Sequence, residues 1–368
     1  MKAVVICLSI LMIGACRPRE KNIAEQVDDL FKKEFKEGEP GGAVIVILGQ
    51  DTLIKKGYGV ADIGTQEKIT PQTLFNVGSI SKTFVSNTIL MLTNEGKMSV
   101  DDDLYKYFPN FKNKSIAKQI KIHFMLTHTS GLPDIRRKFL DSVALLTAKD
   151  EENWAPILQA DSLDFEPGSR FEYSNPAFNG LALIVQQVSG KKWQDVVKEK
   201  IFRPSGMTTS TITDGSYPDA GVAHGYLRSG QSFIEKDYGE EPTFAAAGNG
   251  GVWSSVEELA RYENALRNAV FLNKGTIDLS RSITRYSNWS DSLPPFIGYS
   301  WFISQSQDGT KIISHTGTQG GFYADFVSIP EKEFLYVVLC NRPFPRKEFR
   351  ENILSFISLK ENQVPIPK

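Results

Sequence analysis

The chain is organised around the stretch Phe75-Asn76-Val77-Gly78-Ser79-Ile80-Ser81-Lys82-Thr83-Phe84. Two β-like runs precede it and an apolar segment with helical periodicity follows, so Ser79 is expected where a loop passes into a helix. Residues three apart share a helix face, which would place the Lys82 amine beside the Ser79 hydroxyl. Serine becomes a nucleophile when a base takes its proton, and a desolvated lysine can be that base. The stretch therefore predicts a nucleophile and its base.

The same Ser-x-x-Lys spacing occurs twice more, at Ser115–Lys118 and at Ser189–Lys192. Ser115 lies in a polar stretch rich in lysine and asparagine, and Ser189 immediately precedes Gly190, which is typical of a helix end. Neither serine stands between β-like runs and an apolar helix. The context therefore favours Ser79.

Composition narrows the class of protein. The 368 residues carry a net charge of −1 and are 41% hydrophobic, which excludes a disordered chain and allows one large or two ordinary domains. Charges of both signs are mixed along the chain, so no nucleic-acid partner is expected. The cysteine and histidine spacings match no metal motif, and no phosphate-binding motif is complete. We expect neither a metal nor a cofactor.

The first residues form a predicted targeting segment. Lys2 is followed by the apolar run Ala3–Ile13, which is too short to span a bilayer, and by the small residues that end at Cys16. This ending resembles a bacterial lipobox, which implies a signal peptide over 1–15, a lipid on Cys16 and a tether over 16–22. The protein would then be anchored to a membrane of the cell envelope, in a leaflet that the sequence leaves open. The alternative is an ordinary secretory signal in which Cys16 is incidental.

The remaining chain, 23–368, has β texture at both ends and helical texture between them. Residues 43–48 and 52–60 predict a hairpin, 101–243 is mostly helical, and β-like runs return between 299 and 339. This pattern predicts an α/β (α+β) fold with an antiparallel five-stranded sheet built from both termini and flanked by helices. The sheet lobe would comprise 23–100 and 244–368, the helical lobe 101–243, and the cleft would lie between them.

A second proton relay is required for the leaving group. Tyr173 and Asn175 follow a predicted turn and precede Pro176, a favourable first helical residue, so their side chains could point into a cleft. The competing tyrosines are Tyr262, in a predicted amphipathic helix, and Tyr286, in a polar linker. Tyr173 is the preferred candidate.

A glycine-rich strand end supplies a candidate substrate edge. The run Ser314-His315-Thr316-Gly317-Thr318-Gln319-Gly320-Gly321 would let a substrate lie against the strand as an added strand does. The other histidines, His123, His128 and His224, are expected to be structural. Gly248–Gly251 is interpreted as a turn.

Taken in order, Ser79-x-x-Lys82, Tyr173-x-Asn175 and His315-Thr316-Gly317 resemble the motifs of class C β-lactamase-like serine hydrolases. That group includes D-Ala-D-Ala carboxypeptidases, D-aminopeptidases and penicillin-binding esterases. Four further stretches also look like signatures of this family, and the resemblance extends over nearly all of the chain from about residue 23. The stretches are Thr127–Leu132, Phe202–Met207, Ala247–Ser255 and Gly320–Arg342. The resemblance implies a β-lactamase/transpeptidase-like fold.

The resemblance also implies roles for the matching residues. Ser79 would be acylated, and Lys82 and Tyr173 would relay its proton. Tyr173 would activate the deacylating water, its phenol being biased toward phenolate by the neighbouring ammonium. Asn175 would orient Lys82 and hold a substrate amide, and the N–H groups of Ser79 and Thr318 would form the oxyanion hole.

One position departs from the family pattern. Class C β-lactamases have a lysine where this chain has His315, and a neutral histidine contributes little charge at pH 7. Recognition of a substrate carboxylate is therefore in question, and Arg346 or Arg350 could supply the missing charge. The His-x-Gly form is more similar to the peptidase and esterase branch.

The expected function is hydrolysis through a Ser79 acyl-enzyme. The substrates would be D-amino-acid peptides, with peptidoglycan as one source, or small esters and amides. Two alternatives remain at this point: a β-lactamase, and a non-catalytic penicillin-binding or cell-wall-sensing protein. An intact set of Ser79, Lys82 and Tyr173 argues against the second, because a binding protein has no need of all three.

Overall fold

The computed structural model describes residues 21–141, 147–213, 217–235, 247–359 and 361. The predicted signal peptide and Cys16 lie outside these residues, as do parts of the expected helical lobe. Within the described ranges, no helix is both long and apolar enough to cross a membrane.

The described strands, numbered in chain order, are β1 (Gly42–Leu48), β2 (Asp51–Tyr58), β3 (Phe75–Asn76), β4 (Thr211–Ile212), β5 (Tyr226–Ser229), β6 (Ser232–Glu235), β7 (Val252–Ser254), β8 (Phe302–Gln305), β9 (Lys311–Gln319), β10 (Phe322–Ile329) and β11 (Phe334–Cys340). The described α-helices are α1 (Ile23–Glu34), α2 (Ser81–Asn94), α3 (Leu104–Tyr107), α4 (Lys114–Gln119), α5 (Ile122–Leu126), α6 (Asp150–Trp154), α7 (Asn175–Ser189), α8 (Trp193–Val197), α9 (Arg203–Ser205), α10 (Val256–Arg267), α11 (Lys274–Ser280) and α12 (Arg346–Phe356).

The main sheet is antiparallel and has the order β2-β1-β11-β10-β9-β8. The two termini meet in its middle, where β1 pairs with β11 from Gly42 opposite Cys340 to Leu48 opposite Phe334. The predicted class and the joining of the termini are confirmed. The expected number of strands, five, is wrong: β8 adds a sixth by pairing its Ile303 with Ile313 of β9.

Both faces of this sheet are covered, which explains why β1 is apolar throughout. Successive side chains point to opposite faces. Val44 and Val46 pack in the core beneath α1 and α12, whereas Ala43 and Ile45 pack in the larger core shared with the helical part. The first core holds the face-to-edge contact of Phe31 with Phe349, whose ring centroids are 5.0 Å apart. The active-site candidates lie on the side of the sheet that faces the larger core.

The inserted part is helical from α3 to α9, as expected. Its later portion differs from the prediction, because β4, β5 and β6 lie between residues 211 and 235. β4 joins β3 and β7 in a three-stranded sheet, and the N–H of Tyr226, at the start of β5, donates to the Asn341 carbonyl after β11. The helical lobe therefore ends before residue 211, and this later portion packs on the sheet lobe.

Helix α2 lies in the centre of the molecule. Every residue from Ser81 to Leu92 is buried, so the helix has no solvent-facing stripe and its polar side chains must find partners inside. Its first turn is tied to the neighbouring sheet by Ser81 Oγ, which accepts from the Val252 N–H at 3.0 Å. Lys82 is therefore held in the interior by the position of the helix.

Candidate active site

Ser79 lies in the short 3₁₀ turn that leads into α2. Gly78 has a φ of +52°, and a Cβ there would come within 2.7 Å of the Thr318 amide nitrogen. On the facing strand, a Cβ at Gly317 would lie 2.0 Å from the Val77 carbonyl oxygen. The two glycines allow the turn and β9 to touch. This contact brings the backbone of Thr318, a predicted oxyanion-hole residue, to the Ser79 turn.

The Lys82 side chain is fully buried next to Ser79. Its Nζ donates to Ser79 Oγ at 3.0 Å and to the Asn249 carbonyl oxygen at 2.6 Å. Burial holds the pKa of the Lys82 amine well below its usual range, and the positive charge of Arg136 lowers it further. The lowered pKa increases the fraction of neutral amine, which is the form that can accept the Ser79 proton.

Tyr173 lies just before α7, where the Ser174 side chain caps the helix by accepting from the Ala177 N–H. Its ring stacks on His128 with centroids 4.3 Å apart, and Lys82 Nζ stands over its face at 5.0 Å from the centroid. Burial raises the pKa of the Tyr173 phenol, and hydrogen bonding to Ser79 offsets only part of this effect. The phenol is therefore held in its protonated form, contrary to the expected bias toward phenolate, because desolvation outweighs the hydrogen bond to Ser79.

Asn175 is the first residue of α7 and lines the same cavity as Ser79. The family resemblance implies that Asn175 orients Lys82, but the oxygen acceptor that Lys82 reaches besides Ser79 belongs to the Asn249 backbone. The sequence predicts a turn at Gly248–Gly251. The only signal for a further role was its place in a family signature, since no spacing rule links residues 167 positions apart.

His315 lies on β9 opposite Phe326 and is buried. Its Nδ1 is 2.7 Å from the Thr316 carbonyl oxygen, so Nδ1 carries the hydrogen in the neutral ring. Burial and the charge of Lys82 lower the pKa of His315 to about 3. The imidazole is thus neutral at pH 7, as expected, and supplies no cation.

His128 was expected to be structural. It is buried, adopts a positive φ of 55°, and accepts a hydrogen bond at Nδ1 from the Ser174 N–H at 3.0 Å. Together with its stacking on Tyr173, this bond fixes the approach of the chain to α7. His128 therefore positions the tyrosine.

The structure does not support the expectation that Arg350 holds a substrate carboxylate. Arg350 is buried on α12 and forms an ion pair with the fully buried Asp325. Asp325 pairs in register with Thr316, so both side chains project from the sheet face opposite His315. The burial of a charge requires such a partner. The Arg350 charge is therefore neutralised on the wrong side of the sheet.

Arg346 also stabilises the sheet. Its Nη1 donates to the carbonyl oxygens of Gly317 at 3.0 Å and Ala324 at 3.1 Å, and it contacts Thr318 Oγ1 at 3.4 Å. It lines a cavity near the start of α12 that is distinct from the cavity containing Ser79. Arg346 thus supports the strand end and does not line the Ser79 cavity.

The cavity at Ser79 has a volume of about 180 Å³. Its described walls come from the helical part, the Asn249 turn and the end of β9. Two arginines that sequence reasoning missed are among the lining residues, which are Ser79, Arg136, Arg137, Ala148, Asn153, Asn175, Ala247, Asn249, Thr318 and Gln319. In the sequence these arginines look like part of an ordinary charged run, Arg136–Lys138, so no pattern marked them.

The competing motifs lie elsewhere. Ser115 and Lys118 are exposed on α4, and Lys192 is exposed after α7, so neither alternative pair provides a desolvated amine. Tyr262 is buried in α10, where its hydroxyl donates to Thr83 Oγ1 at 3.1 Å. Tyr286 is bonded to Thr127 at 3.0 Å. Within the described ranges, no group of three or more His, Cys, Asp or Glu side chains is arranged to hold a metal ion.

Comparison with known protein families identifies the family of the chain. The family model described as Beta-lactamase matches residues 20–357. The chain belongs to the beta-lactamase family. Among curated proteins, this family member is 24% identical over 335 residues to penicillin-binding protein 4* of Bacillus subtilis strain 168, covering 88% of this chain and 73% of the relative. It is 26% identical to protein flp of Staphylococcus aureus strain NCTC 8325, covering 86% of this chain but only 63% of that protein.

Solved structures show the same fold for this family member. The penicillin-binding protein of Bacillus halodurans superposes with a TM-score of 0.75 at 25% identity, covering 92% of this chain and 99% of the other. The D-amino acid amidase of Ochrobactrum anthropi SV3, solved in complex with L-phenylalanine, gives a TM-score of 0.75 at 20% identity, with coverages of 91% and 98%. The second likeness shows the fold alone.

Proposed function

We propose that the protein is a serine hydrolase that forms an acyl-enzyme on Ser79 and acts on D-amino-acid peptides or on small esters and amides. The observation that carries the proposal is the 3.0 Å hydrogen bond between the buried Lys82 amine and the Ser79 hydroxyl. The similarity to penicillin-binding protein 4* supports this choice of substrate class.

Acylation begins when neutral Lys82 accepts the Ser79 proton and Ser79 Oγ attacks the substrate carbonyl carbon. The tetrahedral intermediate carries its negative charge on the former carbonyl oxygen. The N–H groups of Ser79 and Thr318 are the proposed donors to that oxyanion. Their proximity depends on the glycine contact between the Ser79 turn and β9.

The leaving group needs a proton when the bond to it breaks. Because burial favours the protonated phenol, Tyr173 donates this proton and is reprotonated by the Lys82 ammonium. Deacylation runs the relay in reverse: a water molecule gives a proton to the Tyr173–Lys82 pair as its oxygen attacks the acyl carbon. The pair then protonates Ser79 Oγ as the ester bond breaks, which releases the acid product and the free serine. Each base is thus restored after one turnover.

The lipid anchor on Cys16 and the location in the cell envelope stay predictions from the sequence. They are compatible with the proposed substrates, because peptidoglycan peptides occur in that compartment. In this proposal the hydrolase domain follows a tether over 16–22.

The test compares wild-type protein with Ser79→Ala and with Ser115→Ala, a serine of the same motif spacing exposed on α4. Hydrolysis of p-nitrophenyl acetate and of D- and L-alanine p-nitroanilides is measured, and intact mass is followed during incubation with benzylpenicillin. We expect ester turnover, preference for the D-anilide and a covalent adduct in the wild type and in Ser115→Ala, with all three lost in Ser79→Ala.

The outcomes separate the alternatives. A transient adduct with release of opened penicillin would favour the β-lactamase. A stable adduct without turnover of any substrate would favour a non-catalytic penicillin-binding protein. Turnover that survives in Ser79→Ala would contradict the proposed nucleophile.

A further inference from the structure

We propose that Arg136 and Arg137 form an anion-binding subsite in the Ser79 cavity, so that preferred substrates carry a carboxylate besides the bond that is cleaved. This inference rests on the proposed hydrolase function and names its substrate class. Both arginines line the cavity together with Ser79. They belong to the helical part of the chain, whereas Thr318 and Gln319, which line the same cavity, belong to β9.

Arg136 is the fixed member of the pair. It is only 5% exposed, and its guanidinium donates to both oxygens of Asp134, at 2.8 and 2.7 Å, and to Asn153 Oδ1 at 2.6 Å. These bonds use three of its five N–H groups, one each on Nε, Nη1 and Nη2. One hydrogen on Nη1 and one on Nη2 take no part in these three bonds. Both remaining hydrogens are on terminal nitrogens of the guanidinium, which are donors that arginine can offer to a carboxylate.

The position of Arg136 is itself supported. Asn153 donates from Nδ2 to the Ala148 carbonyl at 2.7 Å, and both residues line the cavity. Asp134 is half exposed and lies on the outer side of the ion pair. The guanidinium is therefore held from behind with little freedom, which reduces the entropy lost when an anion binds.

Arg137 is the adaptable member. It follows Arg136 in the same 3₁₀ turn and is exposed, yet it also lines the cavity. Asp134 balances the charge of Arg136, so Arg137 contributes most of the net positive charge of this wall. Because Arg137 is exposed, it can bind an anion without the free-energy cost of burying an unpaired charge beforehand.

The charged side chains among the described residues that line the cavity are all positive. Of the described residues that line it, Arg136 and Arg137 are the charged ones, and the others are serine, threonine, alanine, asparagine or glutamine. The positive charge of Arg136 reaches the reaction centre, since it contributes to the lowered pKa of Lys82. A low-dielectric cavity with charge of one sign attracts ligands of the opposite sign.

The other candidate cations are either neutral or already bound to other groups. His315 is neutral, Arg350 is paired with Asp325 behind the sheet, and Arg346 donates to the carbonyls of β9 and β10. The charge that His315 does not supply on β9 thus comes from the helical part of the cavity lining, through Arg136 and Arg137.

The experiment measures discrimination between matched charged and neutral esters. One pair is mono-p-nitrophenyl glutarate and its methyl ester, with the charge on the acyl group. The other pair is 4-acetoxybenzoate and its methyl ester, with the charge on the leaving group. The readout is the ratio of kcat/KM for the anionic ester to that for the neutral ester, in wild type, Arg137→Gln and Lys138→Gln.

Lys138→Gln is the matched control, because Lys138 is exposed in the same turn and is not among the residues lining the cavity. We expect the wild type to favour the anionic ester in at least one pair, and Arg137→Gln to lower that ratio by about 10-fold or more, the effect of a charge-assisted hydrogen bond. Lys138→Gln should keep the ratio. Added salt should lower the wild-type ratio, because it screens exposed charges.

The failures are distinguishable. If no ester is hydrolysed in a Ser79-dependent manner, the proposed function fails. If the neutral esters are hydrolysed and both wild-type ratios are close to one, the hydrolase stands and the anion subsite is overturned. Equal ratios in wild type and Arg137→Gln, or equal losses in Arg137→Gln and Lys138→Gln, overturn it as well.

Discussion

Replacement of Gly317 by alanine tests whether the contact between β9 and the Ser79 turn assembles the site. The added Cβ would lie 2.0 Å from the Val77 carbonyl oxygen and 3.3 Å from the Ala324 side chain, whereas ordinary contacts begin at 3.4 Å. The nearest atom belongs to the backbone and cannot rotate away. The turn and the strand must therefore separate.

The required separation sets the magnitude. Widening the closest contact to an ordinary distance moves the two backbones apart by more than 1 Å. A misplacement of about 1 Å can cost on the order of 100-fold in rate, because the nucleophile and the oxyanion donors lose their alignment. Thr318 on β9 and Ser79 on the turn are the groups that separate. We expect kcat/KM for p-nitrophenyl acetate to fall by about 100-fold, with a loss of about 1–3 kcal/mol in unfolding free energy from overpacking.

The assay is steady-state ester hydrolysis combined with thermal unfolding. Gly275→Ala is the control, since its Cβ would meet only Asn273 Oδ1 at 3.5 Å within α11. That change should leave activity intact and preserve or raise stability, because alanine favours a helix over glycine. A folded Gly317→Ala protein with wild-type kcat/KM would refute the argument that this contact assembles the oxyanion hole.

Two further predictions concern pH. Arg136→Gln removes a positive charge that lowers the pKa of Lys82, so the pKa of Lys82 should rise. The acid limb of the pH profile of kcat/KM should then move to higher pH. An unmoved limb would contradict the effect of the Arg136 charge on Lys82. Burial raises the pKa of Asp150 from 3.8 to about 7. Folding therefore favours the protonated acid between these values, and wild type should lose about 1.4 kcal/mol of stability per pH unit relative to Asp150→Asn from pH 4 to 7. Denaturant titrations at several pH values measure this difference. A constant difference would indicate that the hydrogen bonds from Asn179 Nδ2, Trp193 Nε1 and the Gly248 N–H keep Asp150 ionised throughout.

The local features of the site could be predicted from the sequence. Ser79 and Lys82 are three residues apart at a helix start, so their contact follows from helix geometry. The position of Tyr173 follows from the capped start of α7 in the same way. The strands in both terminal segments were recognisable because β-branched runs alternate with tight turns. Such signals lie within a few residues of the feature they predict.

The parts that could not be predicted depend on contacts between distant segments. Asn249 reaches Lys82 across 167 positions, and its backbone carbonyl would serve whatever its side chain were. The pairing of Arg350 with Asp325 depends on the register of β10, which decides the face on which the carboxylate lies. Arg136 looks like a surface residue in a charged run, because the bond that Arg136 makes to Asn153 joins residues 17 positions apart.

The placement of charge around Lys82 links substrate choice to catalysis. A cation close to the amine lowers its pKa and keeps it available as a base, and the same cation attracts an anionic substrate. On β9 this chain has the neutral, buried His315, so the sheet side of the site contributes neither effect. Arg136, in the helical part, contributes to the lowered pKa of Lys82. In our proposal, Arg136 and Arg137 together attract the anionic substrate. A bound carboxylate would offset part of that positive charge and raise the pKa of Lys82, so anionic substrates should show a more alkaline acid limb in kcat than neutral ones.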